Sequence, residues 1–70
     1  MEELSARNRL NGTIQSVRLG TIMAEVVVDV SGQEVVSVIT RSSAERLGLQ
    51  EGENVLLIVK ATDVMVAIGT

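Results

Sequence analysis

Only one stretch of this 70-residue chain spells out a helix. Residues 40–49, T-R-S-S-A-E-R-L-G-L, place Ser42 three residues before Glu45, the spacing of a capping box in which the serine oxygen takes an orphan N–H and the glutamate reaches back. Gly48 follows as a stop that tolerates the left-handed conformation, and Leu49 can fold onto the last turn. The spacing therefore predicts one to two helical turns capped by Ser42. So short a helix has little stability of its own, so it must serve a sheet. The hydroxyls of Thr40, Ser42 and Ser43 crowd its start, where N–H groups point outward and the dipole favours negative charge. That end is a potential anion seat.

The remainder reads as strand. From Leu10 to Arg18 apolar and polar residues alternate, with Gly12 expected at a bulge or bend. The cleanest alternation follows Gly20: Ile22, Ala24, Val26, Val28 and Val30 share one face, opposite Thr21, Glu25 and Asp29. Met23 and Val27 interrupt the polar face and are candidates for contact with a neighbouring subunit. Ser31-Gly32-Gln33 predicts a hairpin into a third strand, Glu34 to Ile39. After the helix, Gln50-Glu51-Gly52-Glu53 turns the chain into V-L-L-I-V-K, residues 55–60, whose nearly continuous apolar run predicts a strand covered on both faces. Ala61-Thr62-Asp63 predicts a last turn before a fifth alternating strand, residues 64–68. Five strands with one short helix between the third and fourth match the all-β OB-fold, a Greek-key barrel, which closes its own edges. An open five-stranded meander is the alternative.

Seventy residues make a single domain spanning residues 1–70, with no Cys to staple it and no His or Cys for a soft metal site. No Phe, Trp or Tyr is present, so the core rests on aliphatic side chains, each contributing about 1.5 to 3 kcal/mol or less. At this length burial barely offsets chain entropy, so oligomerisation is expected to supply the balance. The net charge of −3 and the lack of aromatic stacking platforms argue against a nucleic-acid surface. M-E-E-L at the start carries no basic and apolar leader pattern, and no apolar run is long enough to span a bilayer. A cytoplasmic location is expected.

Enzymatic chemistry has little to work with. Without His, Cys or a suggestive acidic pair, nucleophile and base roles fall to Ser, Lys or Glu alone, so no catalytic residue is expected. Glu25, Asp29 and Glu34 read as a solvated strand face before they read as a metal site. The informative set is one of donors: Ser5, Arg7 and Asn8 before the first strand, Thr40, Ser42 and Ser43 at the helix start, and Lys60 closing the fourth strand. Arginine offers a planar fork, lysine a compact charge, and hydroxyls fill the remaining directions, which is the mixture a tetrahedral oxyanion needs. Their ordinary uses stand beside this: Ser42 capping, Arg7 in a terminus, Lys60 reaching water.

Those residues also carry a resemblance. S-A-R-N at 5–8 with L-N-G-T-I at 10–14, then G-T-I-M-A-E-V at 20–26, I-T-R-S-S-A-E-R-L-G-L at 39–49 and V-K-A-T-D-V at 59–64, resemble the Mop domains of the molbindin family in order and spacing, over essentially the whole chain. Related copies occur in molybdate-responsive regulators and in molybdate transporter ATPases, and a lone domain resembles a free-standing molbindin. The resemblance implies an OB-fold protein that binds and stores molybdate or tungstate in the cytoplasm, without cofactor or catalysis, and with metal bound only as the oxyanion. It also implies a homohexamer, as a trimer of dimers, with sites between subunits and neither nucleic-acid nor membrane partners. Carried over, the ligands fall on Ser5, Arg7, Thr40, Ser43 and Lys60, with backbone N–H groups near Ala6 and Ala61. The family often has Ser where Ala61 stands. Asn8, Ser42 and Arg46 are further matches, and the resemblance also implies a second class of site nearer the oligomer axis, placed around Arg18 and Gly20.

Acceptor-only dianions suit a donor-only site, whereas monohydrogen phosphate brings a proton such a site cannot accept. Sulfate is smaller and leaves buried donors unpaired at about 1 to 3 kcal/mol each. The rival functions are an OB-fold assembly module without oxyanion storage and an OB-fold nucleic-acid binder.

Overall fold

A computed structural model describes residues 7–69. Its strands are β1 (Asn8–Leu19), β2 (Met23–Val30), β3 (Gln33–Thr40) and β4 (Asn54–Val59), with helix α1 (Arg41–Leu47) between β3 and β4. They form one antiparallel sheet in the order β3-β2-β1-β4. This is the expected OB-like arrangement, with the helix in the expected place.

The sheet curls because β1 serves two neighbours. Its first half pairs with β4, from Asn8 opposite Val59 to Thr13 opposite Asn54, and its second half pairs with β2, ending at Leu19 opposite Ala24. A register shift between Ile14 and Ser16 makes Gln15 the bulged residue, and a bulge bends its strand and increases the twist. The bulge was expected at Gly12, which instead permits a close approach: a Cβ there would stand 2.8 Å from the Asp29 carbonyl oxygen and closer still to Val28 Cγ1. The β2–β3 hairpin turns through Ser31 and Gly32, with φ of 52° and 89°, the paired positive φ of a type I′ turn whose twist matches the strands it joins.

The alternation of β2 becomes the core. Ala24, Val26 and Val28 are buried with Ile14 and the helix residue Ala44, while Val17, Val30, Ile39, Leu49, Val55 and Leu57 pack around Ile14, Val26 and Val28. Ile22, expected on this face, is exposed because pairing begins only at Met23. Met23 is also exposed, and on that same outer face Val27 stands opposite Val36.

Two further expectations give way. β4 is not covered on both faces: Val55, Leu57 and Val59 are half-buried while Leu56 and Ile58 are exposed, because β4 ends the sheet and only its inner side meets the core. Residues 64–68 form no fifth strand. The chain makes a 3-10 turn at Ala61–Asp63 and runs on with Met65, Val66 and Ile68 exposed. No helix among the described residues is long and apolar enough to cross a membrane.

Candidate functional site

The β3 ladder holds as far as Thr40, opposite Met23, and the chain then enters α1 directly. Thr40, still extended at φ −70° and ψ 149°, is therefore the N-cap. Its Oγ1 accepts the Ser43 N–H at 3.1 Å and donates to Ser43 Oγ at 2.8 Å. Ser42 was expected to cap with Glu45. Ser42 instead lies inside the first turn, and Glu45 accepts from Arg41 Nε at 2.9 Å, one helical turn earlier. At the far end Gly48 takes φ 66°, and the N–H groups of Gly48 and Leu49 close onto the carbonyls of Glu45 and Ala44, completing the expected left-handed stop.

Arg41, absent from the sequence-based donor set, ties this corner together. Its N–H donates to the Ile22 carbonyl at 2.7 Å and its Nη1 to the Gly20 carbonyl at 3.1 Å. The legible signal was the i,i+4 spacing of Arg41 and Glu45. Gly20 donates its own N–H to the Met23 carbonyl at 2.8 Å, so that N–H is already engaged within the chain. Arg18 is exposed beside Glu25, at 3.9 Å. Arg46 occupies the last turn of α1, where a cation complements the helix dipole.

A second group of donors gathers at the other end of β1. Asn8 donates Nδ2–H to the Val59 carbonyl at 3.2 Å and faces Val59 across the ladder, so Arg7 and Lys60, the next residue on each strand, flank the same edge. Both are exposed. Lys60 caps the 3-10 turn that begins with Ala61. Ser5 and Ala6 lie outside the described residues.

The two groups do not meet within one chain. Thr40 and Ser43 sit beside the Leu19 end of β1, while Arg7, Lys60 and Ala61 sit beside its Asn8 end. At about 3.3 Å per residue the strand spans roughly 36 Å, and even a right-angled bend at Gln15 leaves roughly 25 Å between its ends. No single tetrahedral ion touches both groups of one molecule. The carboxylates form no rival centre: among the described residues no group of three or more acidic side chains could hold a metal ion.

The TOBE domain family matches residues 4–66. The chain belongs to that family. Within it, this TOBE domain is 41% identical over 64 residues to molybdenum-pterin-binding protein 1 of Clostridium pasteurianum, covering 90% of this chain and 94% of the relative. It is 36% identical over 67 residues to a probable molybdenum-pterin-binding protein of Haemophilus influenzae, covering 94% and 97%. Among solved structures it matches a molybdate-binding protein from Sporomusa ovata with a TM-score of 0.91 at 39% identity, covering 96% of this chain and all of that one. These matches place the domain with the Mop proteins, as the motifs implied.

Proposed function

We propose that this Mop-type domain binds molybdate or tungstate without chemistry and stores or buffers it in the cytoplasm, at sites completed between the subunits of a homohexamer, a trimer of dimers. The observation that carries the reading is the division of donors, with Thr40 and Ser43 at one end of β1 and Arg7 and Lys60 at the other. A second chain that brings its Arg7 end to the first chain's Thr40 end supplies a full set. Ser5 and the backbone near Ala6 and Ala61 are assigned to the same ion, Asn8, Ser42 and Arg46 to its surroundings, and Arg18 and Gly20 to a second class of site nearer the oligomer axis. Binding of molybdate by relatives supports the choice of ion. A pterin ring would want an aromatic face to stack on, and the chain has none.

The Arg7 and Lys60 side chains can only donate, and the Thr40 oxygen already accepts the Ser43 N–H, so the set favours an ion that only accepts hydrogen bonds. The acidic total charge opposes the dianion at long range, and the local guanidinium and ammonium groups must overcome it. Native mass spectrometry with and without molybdate tests the reading directly. Bound oxyanion on a six-chain species supports it, and a species that takes up no molybdate favours a pure assembly module.

A further inference from the structure

Helix α1 has seven residues, of which only Ala44 is buried. A helix this short has little stability of its own, and one buried methyl gives the sheet a poor grip on it. Its direction is set at its ends. Gly48 and Leu49 close the far end, and at the near end Arg41 makes three bonds. Its N–H, one of the orphan donors of the first turn, reaches the Ile22 carbonyl at 2.7 Å. Its Nη1 donates to the Gly20 carbonyl at 3.1 Å and its Nε to Glu45 Oε2 at 2.9 Å. The planar fork thus bridges the turn between β1 and β2 and the second turn of α1. A cation in the first turn opposes the helix dipole, and a half-exposed ion pair of this kind adds little stability. What the bridge secures is position.

We infer that Arg41 is a positioning residue for the oxyanion, bracing α1 against the β1–β2 turn so that Thr40 and Ser43 present their donors at a fixed place. The role rests on Thr40 and Ser43 being ligands of the ion, as proposed. Arg41 does not reach the ion itself. At about 3.6 residues per turn, Arg41 and Ser43 point roughly 160° apart around the helix axis, whereas Arg41 and Glu45 share a flank. Arg41 therefore acts through the helix. Without the fork α1 can rock about Ala44, and the Ser43 donor shifts relative to the Arg7 and Lys60 that another chain brings. Such sites tolerate errors of only about 0.5 Å. A loosened site holds molybdate less well and also separates it less well from the smaller sulfate, because rejection by size needs donors that cannot follow the ion inward. Lysine is no substitute, since it offers a single nitrogen where two nitrogens of the guanidinium meet the two acceptors.

The test compares the full-length wild-type chain with Arg41→Met, which keeps an unbranched stem and removes the fork, and Arg41→Lys, which keeps the charge. Each is titrated calorimetrically with molybdate and with sulfate at a temperature where circular dichroism shows it folded. Arg41→Met is expected to weaken molybdate binding at least fivefold and to lower the molybdate-to-sulfate affinity ratio at least threefold. Arg41→Lys is expected to lose selectivity as well, and it decides alone if Arg41→Met does not fold. Wild-type affinity and selectivity in Arg41→Met, or full recovery in Arg41→Lys, overturns the inference and leaves the oxyanion reading standing. A wild-type chain that takes up no molybdate removes that reading, and the positioning role with it. Amide hydrogen exchange without any anion gives a second readout. The Ser43 N–H, held by Thr40 Oγ1, is expected to exchange at least tenfold faster in Arg41→Met; an unchanged rate rejects the brace.

Discussion

Thr40 and Ser43 are joined twice, the threonine oxygen accepting the serine N–H and returning its own proton to the serine Oγ. The second bond leaves the Ser43 hydroxyl proton as the outward donor of the pair. Thr40 thus fixes the direction in which Ser43 donates.

Thr40→Ala is expected to cost about 1 kcal/mol of unfolding free energy, the usual value of an N-cap. Ser42→Ala, already within the helix, is expected to change stability by less than about 0.5 kcal/mol. Urea unfolding followed by circular dichroism distinguishes the two. Equal losses would return the cap to Ser42.

Gly12→Ala is expected to destabilise by about 1 to 3 kcal/mol, since the new methyl must displace Val28 or the backbone at Asp29. The same substitution at Gly48 meets no atom within 4 Å and costs only the left-handed backbone, about 1 kcal/mol. Thermal unfolding of the two variants side by side checks the order.

Arg7→Ala and Lys60→Ala are each expected to weaken molybdate binding at least tenfold, while Glu34→Gln strengthens it by less than twofold. The first pair removes donors assigned to the ion, and the last removes only a distant screened charge. Isothermal titration calorimetry measures all three, and comparable effects would contradict the assignment of the ligands.

Molybdate at a hundredfold excess over its dissociation constant is expected to stabilise the folded protein by about 2.7 kcal/mol. Sulfate at the same concentration is expected to raise the melting temperature much less, because a smaller ion leaves donors unpaired. Differential scanning calorimetry with each salt makes the comparison.

Much of the fold was legible because alternation reports burial directly. Ala24, Val26 and Val28 read as one face and lie buried on one face. The hairpin at Ser31 and Gly32 was equally plain from its turn residues. The cap was misplaced because Ser42 and Thr40 both have the chemistry, and the choice depends on where the β3 ladder stops, a pairing with Met23 that no local spacing encodes. The fifth strand misled for a related reason. The unbroken apolar run at residues 64–68 asks for burial, but nothing in its own spacing says what it pairs with. For the candidate site the kinds of donor were readable, but their division between the ends of β1 follows from the register of Asn8 with Val59, which only the folded sheet reveals.

That division also bears on counting. If an ion requires one half-set from each end of β1, a row of n chains joined end to end completes only n − 1 sites, whereas a ring or a reciprocal pair completes n. Closure of the assembly then decides whether any half-set is left idle, and the capacity for this class of ion cannot exceed one per chain.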